Sequence, residues 1–283
     1  MKPQSNGPNI MIEATDKPWN SATTLYIARK LQSITKGKSL SVLDLGCGDG
    51  TVLEYLLGYG YDLCGYDLPE CAAALKKRIS KYFGASFHKH FRITEDERSI
   101  PFEDKLFDVI YANQVFEHIS SLGSILQECN RVLKPNGVLL AIFPLATSPI
   151  ETHIGIPFAH WIPQGNFRVQ YLRFFYAMGL RSRSKGISCF ETAINQDLYL
   201  KEKTFYRFSN EIRKLSMPYF QSFKCETDLL VRAKLDLMKI DKNPIKHLSG
   251  SFIRLFEGNC LSLLSTYFID AAFCMSYPKK HQK

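Results

Sequence analysis

Glycines recur at alternate positions 46, 48 and 50 in the segment Val42-Leu43-Asp44-Leu45-Gly46-Cys47-Gly48-Asp49-Gly50, directly after an apolar run. Glycine is required where φ turns positive and where a ligand must lie against bare backbone. The dinucleotide-binding spacing G-x-G-x-x-G would place its third glycine at 51, where the chain has Thr51. Asp44 stands within the loop region, and a carboxylate there disfavours a pyrophosphate. It suits a cationic ligand, which it can meet through charge-assisted hydrogen bonds. Asp67 closes the next apolar run, 23 residues after Asp44. That is the place at which doubly wound sheets bind ribose hydroxyls. One loop, one acid within it and one acid after the next strand therefore suggest a charged nucleoside without a phosphate. A tight strand-to-helix turn with a solvated Asp67 is the plainer alternative.

A second set of candidates is the histidines. Near neutral pH an imidazole is the natural general base. His118 follows Phe116-Glu117, whereas His153 and His160 lie in an irregular segment, 148–166, that also holds three prolines. Long irregular segments inside compact domains are usually functional. Phe158 and Trp161 could wall a site there, with His118, His153 and His160 as candidate bases; hydrogen-bonded packing of each imidazole is the competing reading. His88 and His90 form an H-x-H pair on an expected strand edge, with no third ligand in view, so no metal site is expected.

These residues need a scaffold, and the apolar pattern describes one. Runs at 40–45, 61–66, 107–112 and 138–143 read as strands, with a weaker one at 87–94. Between them fall helices over 51–57, 70–82 and 121–133, the last with Leu122, Ile125, Leu126, Cys129 and Val132 at helical spacing. Such alternation predicts a parallel sheet covered on both faces. Asn20-Ser21 could cap an earlier helix reaching about Ile34. Later residues predict helices over 167–178 and 205–215, a strand over 219–230, and a helix and strand within 245–277.

Composition narrows the partners. Residues 1–150 carry 16 basic and 16 acidic side chains and residues 151–283 carry 20 and 11, so the whole net charge of +9 lies in the second half. Arg181, Arg183 and Lys185 cluster there, with Arg168 and Arg173 near a helix. Such charges form either a solvated face or a patch for an anionic acceptor or lipid. Among the 8 cysteines there is no CxxC pair, which favours reduced, mostly buried thiols. The first 20 residues lack an apolar run, so no signal peptide is expected. The apolar stretch 251–277 is broken by Arg254, Glu257 and Asp270, which suits a core helix or a membrane-surface contact better than a span. A cytoplasmic location is the resulting expectation. No base-methylation motif, zinc module or RNA-binding domain is present, which argues against nucleic acid.

VLDLGCGDG, GYDLPE, SIPFEDKLFDVIYANQVFEHI and ILQECNRVLKPNGVLLAIFP resemble, in this order, the successive motifs of class I S-adenosylmethionine-dependent methyltransferases. The similarity is to the type 11 group that includes the ubiquinone/menaquinone-biosynthesis methyltransferases, and it covers roughly residues 40–144. It implies an α/β fold: a Rossmann-like, doubly wound, seven-stranded, mostly parallel sheet whose last strand is antiparallel, with a substrate-side insertion after the fifth strand. It also implies S-adenosylmethionine as cofactor. Asp44, Gly46 and Gly48 would border its methionine part, Asp67 its ribose and Asp96 its adenine amine. Asn113 and Gln114 would line the methionine side, and Cys47, Gly50, Leu68 and Glu97 would complete the set. Arg98 and Asn136 depart from the family pattern.

The expected organisation is an N-terminal arm and helix (1–36), a cofactor-binding core (37–144), an insertion (145–204) and a completing segment (205–283). The expected activity is methyl transfer to an O, N or C atom of a small molecule, lipid or glycan. A nicotinamide-dependent oxidoreductase and a non-catalytic cofactor-binding subunit are the alternatives.

Overall fold

A computed structural model describes residues 21–35, 37–96, 98–240 and 270–278. Strands β1 (Ser41–Leu45), β2 (Asp62–Asp67), β3 (Phe91–Ile93), β4 (Phe107–Asn113), β5 (Leu133–Phe143), β6 (Phe220–Cys225) and β7 (Ala271–Pro278) form one sheet. Their order is β3-β2-β1-β4-β5-β7-β6. β7 runs antiparallel to both of its neighbours, and the pairs among β1 to β5 are parallel. This is the doubly wound, mostly parallel sheet that the strand–helix alternation and the resemblance predict.

Helices α1 (Ala22–Thr35), α2 (Thr51–Leu56), α3 (Ala72–Phe83), α4 (Phe87–His90) and α5 (Leu122–Val132) interleave with the first strands. Beyond β5 come α6 (Asn166–Ala177), α7 (Cys189–Glu202), α8 (Ser209–Ser216) and α9 (Thr227–Ile240). Alternation along each strand divides the core. Val109 and Tyr111 face one layer, packed with Leu53, Leu75 and Ile79. Ile110 and Ala112 face the other, packed with Ile125, Leu126 and Cys129 of α5. Ser21 starts α1, its hydroxyl accepting the Thr24 N–H at 3.2 Å. The described cysteines are all free thiols.

Four local expectations are corrected. Residues 87–94 open as helix α4, because Phe87 and Phe91, both buried, stand four apart with rings 5.0 Å apart. His88 and His90 therefore sit two apart on a helix and point in different directions; His90 faces Asp62 at 3.5 Å. The helix expected over 205–215 begins only at Ser209, since 204–208 runs extended across the loop after β4, with Phe205 N–H donating to Glu117 O at 2.6 Å. The strand expected over 219–230 ends at Cys225, and α9 follows. Helix α7 was not anticipated; its Ser188 cap, accepting from Glu191 N–H at 3.0 Å, supplies the missed signal. Asn20 and residues 241–269, which include the apolar residues 252–264, lie outside the described residues.

Arg168, read from sequence as a possible anion-binding charge, is an internal strut. Its guanidinium is 2.5 Å from Asp197 Oδ1 and also reaches Asp197 O, with both side chains buried between α6 and α7. Arg168→Ala would leave a buried carboxylate uncompensated, so urea unfolding should show a loss of about 3–5 kcal/mol. Pairing Arg168→Met with Asp197→Leu should recover most of it.

Candidate functional site

The strand order reverses between β1 and β4, and open α/β sheets bind ligands at such switch points. There the chain leaves β1 through Gly46 (φ 73°), Gly48 (φ 53°) and Gly50 (φ 80°). Two of these are enforced twice over. A Cβ on Gly46 would run into the Val115 side chain, and one on Gly50 would stand 2.6 Å from Ile79 Cγ1. Gly46 and Cys47 N–H groups donate to Tyr66 O on β2. The Asp67 carboxylate, closing β2, accepts from Gly48 N–H and, at 2.7 Å, from Leu68 N–H.

The resulting cleft, about 230 Å³, is lined by Asp44, Gly46, Cys47, Gly48 and Asn113, with Ser21 and Thr24 of α1 closing one side. Asp44 is only 3% exposed. Burial pushes its carboxyl up to about 8, and the nearby Asp67 carboxylate adds to the rise. Asn113 Oδ1 is buried with no hydrogen-bond partner among the described residues, an acceptor left for a ligand. Leu68 borders an adjacent hollow with Glu95. Asp96 is exposed and turned into its own loop, accepting from Arg98 N–H at 2.9 Å and Ser99 Oγ–H at 2.6 Å. Glu97 lies outside the described residues. Gln114, at φ 60°, donates instead to Asp270 at 2.7 Å.

Beyond Gln114 the three candidate histidines converge. His118 Nδ1 is 2.6 Å from Lys203 O, and a carbonyl only accepts, so Nδ1 carries the proton. His153 Nδ1 is 2.8 Å from Glu151 Oε1. Burial favours a protonated Glu151, but hydrogen bonds from His153, the Tyr206 hydroxyl and Ile154 N–H outweigh it and hold the carboxyl below its ordinary range. Glu151 is thus an acceptor and His153 Nδ1 its donor. Each ring then has only Nε2 uncommitted, and the two Nε2 atoms face each other at 3.2 Å, a spacing that a proton or a cation between them would bridge.

Glu117 stands beside them, 1% exposed, with neither carboxylate oxygen hydrogen-bonded among the described residues. Burial pushes its carboxyl up to about 8, with Asp270 and Glu151 adding to the rise. Ligand atoms of Glu117, His118 and His153 lie within 4.8 Å of one another, a set able to hold a divalent cation. Each imidazole has the Nδ1 hydrogen bond that orients a metal-binding histidine. His160 joins by ring packing, 4.7 Å from Tyr206. Burial lowers its pKa as it does that of His118. Phe158 and Trp161 pack on each other, 44% and 48% exposed, and the Trp161 ring meets that of His160 edge-on at 6.0 Å.

A family model described as a methyltransferase domain matches residues 19–185. The chain belongs to that family. The methyltransferase domain is 34% identical over 113 residues to the ubiquinone biosynthesis O-methyltransferase of Bradyrhizobium diazoefficiens, covering 40% of this chain and 43% of the relative. It is 32% identical over 126 residues to sterol 4-C-methyltransferase strm-1 of Caenorhabditis elegans, covering 44% and 36%. The chain thus spans less than half the length of these two curated relatives. A phosphoethanolamine N-methyltransferase 2 structure from Haemonchus contortus overlaps 95% of this chain and 55% of its own at 12% identity and a TM-score of 0.49, too distant to argue from.

In this methyltransferase domain, the residues that sequence reasoning missed are those that hold the histidines. Arg207, buried, donates to Phe116, Ile119 and Ser120 carbonyls and so fixes the loop bearing Glu117 and His118. Glu151, only two residues before His153, had a legible signal in the E-x-H spacing. Tyr206 and Asp270 had none.

Proposed function

We propose that the chain transfers the methyl group of S-adenosylmethionine to a hydroxyl of a small-molecule or lipid acceptor. The observation that carries this reading is the pair of opposed Nε2 atoms, 3.2 Å apart beside Glu117, joined to the cleft wall by Asn113-Gln114. Family membership, the glycine loop and the unpartnered Asn113 acceptor support the cofactor.

S-adenosylmethionine supplies an electrophilic methyl on its own leaving group, so the protein's tasks are orientation, exclusion of water and removal of one proton. Asp67 would take the ribose hydroxyls, and Asp44 with Asn113 the amino-acid end. The acceptor hydroxyl would lie against His118 and His153, with one Nε2 taking its proton. Glu151 and Tyr206 hold the His153 ring in place. In the alternative use of the cluster, Glu117, His118 and His153 would hold a divalent cation through those same ring nitrogens, and the cation would supply acidification of the hydroxyl, whose proton would then pass to solvent. The names of the relatives, an O-methyltransferase of ubiquinone biosynthesis and a sterol C-methyltransferase, support a small or lipid-like acceptor.

Calorimetry with S-adenosylhomocysteine, then transfer from labelled donor to phenolic, alcoholic and amine acceptors, tests the proposal. Micromolar binding and O-linked methyl are expected; binding of NADH without binding of S-adenosylhomocysteine, or methyl found only on nitrogen or carbon, would overturn it.

Asp44 provides a second readout. Its folded-state pKa of about 8 lies above the ordinary carboxylate value, so the free protein holds a proton there at pH 7 that the unfolded chain does not. Its contribution to stability is present at low pH and lost as pH rises through about 8. An ammonium placed against Asp44 would ionise it. Binding of S-adenosylhomocysteine at pH 7 should therefore release close to one proton, read from heats in buffers of different ionisation enthalpy. Asp44→Asn should remove that release.

A further inference from the structure

Helices α6 and α7 pack on each other through Val169, Leu172, Tyr176, Ala193 and Leu200. Their outer positions are also apolar. Phe167, Phe174 and Met178, spaced to share one face of α6, are 75%, 54% and 62% exposed. Phe190, Ile194 and Leu198 recur every four residues on α7 at 46%, 36% and 42%. The Arg173 guanidinium of α6 lies 5.8 Å from the Phe190 ring of α7. A run of exposed aromatic and aliphatic side chains on one hairpin marks an interaction surface.

The charges around it choose the partner. Residues 166–203 contain seven Lys or Arg and three Asp or Glu. One of each, Arg168 and Asp197, is paired internally, which leaves six cations against two anions on the outside. A two-fold contact with a second copy would set this cationic surface against itself. An anionic bilayer meets both features: headgroups for the cations, and the acyl boundary for the apolar side chains. No helix among the described residues is long and apolar enough to cross a membrane. We propose that the α6–α7 hairpin docks the protein on an anionic membrane surface. The same hairpin reaches the histidine cluster from within, the Tyr199 ring lying 5.6 Å from that of His153, so docking would bring the acceptor site to the bilayer.

The test is co-sedimentation of the full chain with phosphatidylcholine vesicles, with and without phosphatidylglycerol, at several salt concentrations. Binding is expected only with the anionic lipid, weakening as salt screens the charges. Phe167→Ser with Phe174→Ser, and separately Arg181→Ser with Arg183→Ser, should each lower vesicle affinity by about tenfold or more, given the usual contribution of each interfacial cation and buried side chain. Unchanged circular dichroism and S-adenosylhomocysteine affinity show that the variants fold. Absence of binding by the unaltered chain, or binding undiminished in both variants, overturns the assignment. So does a concentration-dependent dimer in analytical centrifugation that the phenylalanine variant abolishes.

Discussion

His153→Ala is expected to lower kcat for methyl transfer by about 10²–10⁴-fold, the usual contribution of a positioned proton acceptor, while S-adenosylhomocysteine affinity stays within about twofold. The separation of the two effects follows from geometry. His153 belongs to the cluster of Glu151, His118 and Tyr206 and does not line the glycine-loop cleft. Glu151→Gln and Tyr206→Phe should fall between the wild type and His153→Ala. They act through the ring orientation of His153, so each should shift the pH profile of kcat more than KM. Glu117→Gln separates the two ways in which the cluster could serve. If an imidazole alone takes the proton, the substitution costs little. If a cation is held, it lowers activity steeply, EDTA inactivates the wild type, and added Mn²⁺ or Zn²⁺ restores it. Activity within threefold of wild type in both His118→Ala and His153→Ala would remove the cluster from the reaction.

Asp67→Ala should weaken S-adenosylhomocysteine binding by about 1–3 kcal/mol, roughly 5- to 150-fold. Its carboxylate anchors the loop through Gly48 and Leu68 N–H groups, and under the proposal it would also take the ribose hydroxyls, so the variant loses both. Asp67→Asn keeps one acceptor oxygen and should lie between. Calorimetry measures each value, and an unchanged dissociation constant in Asp67→Ala would exclude the ribose assignment.

Much of the scaffold was legible because its determinants are local. Buried two-sided strands read as continuous apolar runs, and Leu122, Ile125, Leu126 and Cys129 marked α5 through spacing alone. Residues 87–94 misread because Phe87 and Phe91, four apart with Lys89 between them, share one face of a strand as well as of a helical turn. Only burial of Phe87 and Phe91 on one side decides for the helical turn. Arg168 misread because a charge looks the same in sequence whether it faces water or a buried Asp197.

The sequence by itself determined the glycine turn, the acids Asp44 and Asp67 that flank it, and, residues 87–94 apart, the strand–helix alternation through β5. Backbone sterics and side-chain period act over a few residues, so neighbours in the chain suffice to express them. Tertiary structure alone decided what the histidines face. His118 meets His153 across 35 positions, Glu151 meets Tyr206 across 55, and Gln114 meets Asp270 across 156. No local pattern encodes such distances. They arise when β7 inserts beside β5 and the 204–208 segment crosses the loop after β4, and sheet pairing and burial fix both only once the whole chain has packed.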